Sequence, residues 1–142
     1  MERVRDDGYR VSDDASELDR ERVWRWMSEQ AYWALGRARE VQDAAIDNSF
    51  CVGLYAPDGA QVGFCRFVTD HITFAWLCDV FVDEEHRGGL GAFMVEFAMN
   101  HPSIVDVRRK VLATRDAHSL YERLGFQRFS ADDAPRWMIR AT

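Results

Sequence analysis

The sequence has few cysteines, and their arrangement excludes several kinds of site. Cys51, Cys65 and Cys78 are odd in number, far apart and set among apolar residues. Such spacing argues against a disulfide framework and against a CxxC metal or redox site. We therefore expect buried free thiols, no metal, and a cytoplasmic location.

Long apolar runs and basic clusters are also missing. No stretch suits a signal peptide or a membrane span, so we expect no membrane partner. The 18 basic residues are scattered among 24 acidic ones, for a net charge of -6, which disfavours a nucleic-acid partner. The negative charge weakly favours a cationic substrate such as an amine. A length of 142 residues fits one domain over residues 1–142.

The hydrophobic pattern predicts two helices, then strands, then alternating helices and strands. Apolar residues at helical spacing open the chain, and β-rich runs on either side of Pro57-Asp58-Gly59 predict an antiparallel hairpin. A long apolar run after the hairpin suits a central strand that is buried on both faces. The predicted helices cover residues 16–31, 37–48, 90–100 and 116–124, and the predicted strands 50–55, 62–68, 73–82, 105–113 and 136–140.

Residues 86–91, His-Arg-Gly-Gly-Leu-Gly, form a glycine turn between the central strand and the next helix. Free backbone N–H groups converge where such a turn opens a helix, and the helix dipole adds positive potential, so the turn can bind an anion. The nucleotide P-loop is excluded because no Gly-Lys-Ser/Thr follows, and the dinucleotide fingerprint GxGxxG is absent. The pattern favours the diphosphate of another cofactor over a simple tight turn.

Two segments resemble the motifs of the GNAT acetyltransferase family. Residues 80–91 resemble the family's motif A, a strand followed by Arg-Gly-x-Gly-x-Gly at the start of a helix. The turn is one residue shorter here, so either the loop is clipped or His86 takes the Arg/Gln position. Residues 114–126, which include Leu120-Tyr121-Glu122 and Gly125-Phe126, are similar to motif B.

The resemblance implies a GNAT fold, an α/β (α+β) domain with a mixed, mostly antiparallel central sheet flanked by helices. It also implies acetyl-CoA as the cofactor. The pantetheine arm would lie beside a central strand that splays from its neighbour, and the pyrophosphate would lie at the glycine turn. The implied cofactor-binding residues are Val80, Phe81, Val82, Arg87, Gly88, Gly89, Leu90, Gly91 and Ala92.

Two residues are candidates for catalysis. The resemblance implies that Tyr121 lies near the cofactor sulfur and protonates the departing thiolate; the alternative is packing beside Leu120. Asp79 lies in an apolar strand, so burial should raise its pKa and make it a possible base. A structural pairing with a neighbouring Arg is at least as compatible with the sequence. Asp70 and His71 are alternative bases on the preceding turn.

The acceptor is expected to meet aromatic side chains. In this family the first helical region overlies the acceptor pocket, so we expect Tyr32, Trp33 and Trp76 to form its walls. The implied function is transfer of an acetyl group to the primary amine of a small molecule or peptide, with a homodimer possible. The alternatives are a non-catalytic acyl-CoA sensor or partner module on the same fold, and acyl transfer to a hydroxyl.

Overall fold

The computed structural model describes residues 1–86 and 88–142. Its strands form a six-stranded sheet in which spatial order follows chain order. Neighbouring strands are antiparallel except for the last two, which are parallel. The strands are β1 Glu2–Val4, β2 Arg10–Ser12, β3 Phe50–Tyr55, β4 Gln61–Thr69, β5 Phe74–Val82 and β6 Arg109–Val111. The helices are α1 Arg20–Arg25, α2 Arg39–Asp47, α3 Leu90–Asn100 and α4 His118–Arg123. The predicted fold class is confirmed.

The predicted hairpin is confirmed as β3 and β4. Gly59 adopts a φ of 90° in the connecting turn, a conformation that glycine adopts without steric cost. The Asp58 carboxylate accepts a hydrogen bond from the Ala60 amide at 2.9 Å, which fixes the turn locally. The turn therefore sets the pairing of the two strands.

The first predicted helix is interrupted. Asp19 caps α1 by accepting a hydrogen bond from the Arg22 amide at 3.0 Å, so the helix begins later than predicted. From Trp26 to Gln30 the chain continues as a π-helical turn, closed by the Ala31 amide donating to the Trp26 carbonyl at 3.0 Å. The single helix predicted over 16–31 is therefore wrong in its bounds, because a π turn cannot be distinguished from an α turn by apolar spacing.

Apolar side chains pack against both faces of the sheet. One cluster joins the sheet to α3 and α4 and includes Phe67, Leu77 and Met94. The other joins it to α1 and the π turn and includes Met27 and Phe64. The predicted burial of β5 on both faces is wrong for its first half, where Phe74 and Trp76 are exposed. From Leu77 to Val82 the strand is buried or half-buried, as expected for a central strand.

At the ends of the chain, two strands were missed and two predicted strands need correction. Strands β1 and β2 were not predicted, although Asp7-Gly8 between Val4 and Val11 is a hairpin signal. The predicted strand 105–113 is reduced to β6, because turns occupy residues 102–106. The predicted strand 136–140 is not formed: a 3₁₀ turn spans Ala134–Arg136, and Trp137 packs on Phe129 with ring centroids 4.7 Å apart.

Among the helices of the described residues, none combines the length and the apolar content needed to cross a bilayer. Cys51 and Cys65 are buried, Cys78 is partly buried, and all three are free thiols.

Candidate active site

Strands β5 and β6 separate soon after they meet. Their ladder consists of three pairs, from Phe74↔Arg109 to Trp76↔Val111. On its other side, β5 pairs with β4 as far as Val82. The chain after Val111 therefore leaves the sheet while β5 continues, which opens a gap beside β5. A cavity of about 520 Å³ lies in this gap.

The backbone of β5 is distorted beside the cavity. Asp79 has a φ of 51°, which is uncommon for a residue with a side chain. The pairing of β4 with β5 shifts register between Phe64 and Arg66, opposite this point. Together the two features define a β-bulge, which bends and twists a strand locally.

The cavity brings together most of the predicted catalytic and acceptor residues. Tyr121 and Asp79, the two catalytic candidates, line the same cavity as the three predicted wall residues and Val80. Leu77, Cys78 and the segment 112–117 also line it and were not among the predicted site residues. The complete set of predicted residues in the lining is Tyr32, Trp33, Trp76, Asp79, Val80 and Tyr121.

Asp79 is held in a charged network that we call the Asp79 cluster: Asp79, Trp33, Arg37 and Arg66. The Asp79 side chain is 1% exposed. Its Oδ2 accepts hydrogen bonds from Arg37 Nη1 and Arg66 Nε, each at 2.7 Å. Its Oδ1 accepts one from Trp33 Nε1 at 2.9 Å and a longer one from Arg37 Nη2 at 3.3 Å.

The expected rise in the pKa of Asp79 is wrong. Burial acts to raise the pKa of this carboxyl, but the Arg37 hydrogen bonds and the Arg66 charge outweigh it and the pKa is lowered. Both oxygens are already occupied by donors. The geometry agrees with the alternative interpretation, a structural pairing with arginine. Asp79 is therefore poorly suited to act as a base.

The alternative base Asp70 is also occupied. The Thr73 hydroxyl and the amides of Ile72, Thr73 and Phe74 all donate to its carboxylate. These hydrogen bonds lower its pKa, and they shape the turn into β5. His71, beside it, has a φ of 64° and hydrogen bonds through Nδ1 to the Ser103 carbonyl at 3.2 Å. Both residues therefore have structural roles at this turn.

Tyr121 lies between the core and the cavity. Its ring belongs to the cluster beneath α3 and meets Phe126 edge-on, with centroids 5.9 Å apart. Burial raises the pKa of Tyr121 to about 12, so the side chain is a neutral phenol at physiological pH. Tyr121 therefore packs in the core, as the alternative interpretation predicted, and it also lines the cavity.

The residues predicted to form the acceptor wall, Tyr32, Trp33 and Trp76, are all exposed. The rings of Tyr32 and Trp33 are perpendicular, with centroids 5.0 Å apart. The Arg115 guanidinium lies 3.8 Å from the centroid of the Tyr32 ring, in a cation–π contact. An apolar surface with a fixed positive charge at its edge thus borders the cavity.

The glycine turn follows β5 and opens α3. Gly88 and Gly89 have φ values of 91° and 75°, and Gly89 caps the helix without a side-chain hydrogen bond. A Cβ at Gly89 would meet nothing within 4 Å, and one at Gly91 would meet only Val82 Cγ2 at 3.9 Å. The space beside this helix N-terminus is therefore open. Arg87, also predicted to bind cofactor, lies outside the described residues.

Among the remaining predicted cofactor residues, the side chains of Phe81, Val82 and Leu90 pack against other residues of the protein. Phe81 stacks on Trp26 with ring centroids 5.2 Å apart. Leu90 is buried, and Val82 packs against the same core. Ala92 lies in the first turn of α3. These residues can therefore offer a ligand mainly their backbone groups.

The N-terminal hairpin supports the glycine turn, which the sequence analysis did not foresee. Arg5, directly after β1, donates from Nη1 to the Gly88 carbonyl at 2.7 Å and pairs with Asp7 at 2.6 Å. The Tyr9 hydroxyl hydrogen bonds to His86 Nδ1 at 2.8 Å. Recognising Asp7-Gly8 as a hairpin turn would have placed this segment in the sheet.

Comparison with known proteins identifies related sequences and folds. The family model described as an acetyltransferase (GNAT) domain matches residues 47–128, from the end of α2 to just beyond α4. A protein from Xanthomonas campestris pv. campestris, assigned as an acetyltransferase of the GNAT family, shares 40% sequence identity. Its crystal structure superposes with a TM-score of 0.88, covering 94% of this chain and 93% of that chain.

A second relative and a second solved structure are less similar. A protein from Gibberella zeae, assigned as an acetyltransferase, is 29% identical over 116 residues, or 66% of this chain, and the chain spans 64% of the length of that relative. Glucosamine-6-phosphate N-acetyltransferase from Arabidopsis thaliana has the same fold, with a TM-score of 0.64 at 16% identity over 94% of this chain and 97% of that one.

Proposed function

The chain belongs to the GNAT acetyltransferase family, and from that premise we propose that it transfers the acetyl group of acetyl-CoA directly to the primary amine of a small molecule or peptide. One observation carries the proposal. The gap between β5 and β6 holds Tyr121 and the acceptor wall in one cavity, and β5 runs from this gap to the glycine turn.

The residues at the glycine turn fit the diphosphate of CoA. Gly88 and Gly89 have positive φ values, and the open space at Gly89 and Gly91 would be narrowed by side chains. The first amides of a helix lack intrahelical acceptors and can bind phosphate oxygens. Backbone amides of residues 88–92 would hold the diphosphate, and β5 backbone groups from Val80 to Val82 would hold the pantetheine arm. The bound cofactor would supply an acetyl thioester.

Tyr121 would act as the general acid. Its raised pKa keeps the proton on Oη at neutral pH, and the side chain lines the cavity. A phenol in this state can hydrogen bond to a sulfur atom and donate its proton as negative charge develops there. The acceptor wall would orient the amine, and the burial of the Tyr121 ring fixes the direction of its hydroxyl.

The test is thiol release from acetyl-CoA with a panel of amines, followed by mass spectrometry of the products. The proposal expects thiol release that depends on a primary amine and a product heavier by one acetyl group. Tyr121→Phe serves as the matched control for background hydrolysis. CoA binding without amine-dependent release from any acceptor would contradict the proposal and indicate a sensor or partner module.

A further inference from the structure

The Asp79 cluster contains more positive than negative charge. Two guanidinium groups share the carboxylate of Asp79, and the side chains of Arg37 and Arg66 are only 18% and 11% exposed. Their other side-chain partners are neutral: Arg37 donates to Gln42 Oε1 at 2.8 Å, and Arg66 to Ser49 Oγ at 3.0 Å. A partly buried positive charge therefore remains directly behind Asp79, which itself lines the cavity.

The other groups around the cavity do not remove this excess. Burial raises the pKa of Cys78 to about 11 and that of Tyr121 to about 12, so both are neutral. At the rim, Arg115 and Asp116 contribute one charge of each sign, and the Arg115 guanidinium lies over the Tyr32 ring. In the part of the chain that the structure describes, the titratable or charged residues that line the cavity are Tyr32, Cys78, Asp79, Arg115, Asp116 and Tyr121. Arg37, before α2, and Arg66, on β4, lie behind them and contact Asp79.

We propose that the Asp79 cluster activates the acceptor electrostatically: its positive charge favours the neutral, nucleophilic form of the amine in the cavity, in place of a general base. This inference rests on the proposed acetyl transfer. A cationic neighbour disfavours an ammonium group by Coulomb repulsion, which is one of the established ways in which proteins activate amines. The same charge disfavours acceptors with additional positive groups, although the whole chain has a net charge of -6.

The proton balance needs no protein base. The acceptor ammonium first loses a proton to water, and the neutral nitrogen then forms a bond to the acetyl carbon. The carbon–sulfur bond breaks with its electron pair on sulfur, which takes the proton of Tyr121. The nitrogen loses its second proton, which restores the phenol through solvent, so each turnover releases one proton.

The inference is tested by the acid limb of kcat against pH, which reports groups in the enzyme–substrate complex, measured at saturating concentrations of two acceptors whose amine pKa values differ. In the unmodified enzyme, the limb should follow the pKa of the amine. Arg37→Gln removes the excess charge and should move the limb to higher pH. Asp79→Asn increases the excess and should move it to lower pH. At a separation of about 8 Å, a unit charge changes the pKa of the amine by roughly 0.4 unit in fully solvated surroundings and by roughly 1.5 units near a protein surface.

Arg39→Gln is the matched control. It makes the same chemical change two residues along the chain, where Arg39 pairs with Asp43 at 3.0 Å on the exposed side of α2, and it should leave the limb in place. CoA affinity and circular dichroism establish that each variant is folded. If Asp79→Asn does not fold, Arg37→Gln decides alone.

Opposite displacements of the limb would support electrostatic activation. An unmoved limb in folded, active Arg37→Gln would overturn it, as would loss of the limb in folded Asp79→Asn, which would make Asp79 the base. Absence of amine-dependent thiol release from the unmodified enzyme is a different result, since it would contradict the proposed transfer and the inference together.

Discussion

The two ends of the site are built in different ways. The glycine turn is formed by consecutive residues and presents backbone groups, with φ values of 91° and 75° at Gly88 and Gly89. The Asp79 cluster joins side chains from the segment before α2, from β4 and from the β5 bulge. A local turn can tolerate the loss of one side chain, whereas loss of the Asp79 carboxylate would leave two partly buried guanidinium groups without a counter-charge.

β5 connects these two ends. Its bulge at Asp79 lies beside the cavity, and its last residue, Val82, lies under Gly91. The two regions are therefore joined by one strand, although the turn presents backbone groups and the Asp79 cluster presents charged side chains. Substitution of Tyr121 should mainly affect turnover. Substitutions in the Asp79 cluster should mainly affect stability, and substitutions in the glycine turn should mainly affect cofactor binding.

Tyr121→Phe is expected to have the largest effect. It retains the ring that packs against Phe126 but removes the proposed acid, and general acid catalysis contributes roughly 10²–10⁴-fold to a rate. kcat should fall by about that factor, while CoA affinity, measured by calorimetry, changes little. An unchanged kcat with the true acceptor would show that Tyr121 only packs.

Asp79→Asn should cause the largest loss of stability. It leaves two partly buried guanidinium groups without a counter-charge, and breaking a buried ion pair costs about 3–5 kcal/mol. Urea denaturation should show a fall of that order in the free energy of unfolding. Asp58→Asn, in an exposed turn, is the control and should change it by less than about 1 kcal/mol. A similar, small change in both variants would contradict the cluster's structural role.

The pH dependence of stability should distinguish the unmodified protein from Asp79→Asn. The pKa of Asp79 is lower in the folded protein than its ordinary value, so its stabilising contribution is complete above the ordinary pKa of an aspartate. That contribution is lost as the pH falls through the folded-state value. The unmodified protein should therefore lose stability in acid more steeply than Asp79→Asn. Parallel curves would contradict the lowered pKa, because they would mean that Asp79 titrates at the same pH in the folded and unfolded states.

This contrast explains what could be predicted from the sequence. The glycine turn, α3 and the β3–β4 hairpin are local, so Gly88-Gly89 and Asp58-Gly59 were sufficient to place them. The partners of Asp79 lie 42 and 13 residues away, and nothing in the neighbouring sequence identifies Arg37 or Arg66. Burial alone suggested a raised pKa, and only the tertiary structure supplies the charges that lower it.

The ends of the chain show the same limit. The segment 136–140 has a strand-like sequence, but a strand needs a partner to pair with. Here Pro135 lies in the 3₁₀ turn before it, and Trp137 packs on Phe129 instead. Local propensity alone therefore gave the wrong structure.

Gly91→Glu tests the turn. Its Cβ would make an ordinary 3.9 Å contact with Val82, so the fold should persist. Its carboxylate would face the diphosphate, and like-charge contacts cost several kcal/mol. CoA affinity should therefore fall at least about 100-fold. Gly91→Ala, which adds the Cβ without the charge, should bind CoA within roughly tenfold of the unmodified protein. Equal affinity of Gly91→Glu and the unmodified protein would make the turn merely structural.

Trp33→Phe should have the smallest effect, and it tests whether the cluster positions the acceptor wall. The substitution keeps an aromatic ring but removes the indole N–H that donates to Asp79 at 2.9 Å. A hydrogen bond to a charged group contributes about 1.5–3 kcal/mol, and the partial exposure of Trp33 should place the loss near the lower figure. Because the ring is then no longer fixed to the bulge, KM for the acceptor should rise severalfold while kcat and CoA affinity stay nearly constant. Trp76→Phe changes the same wall without touching the Asp79 carboxylate, and it should leave the free energy of unfolding closer to that of the unmodified protein. If the two variants weaken stability and acceptor binding equally, the hydrogen bond to Asp79 has no positioning role and the wall depends on ring contacts alone.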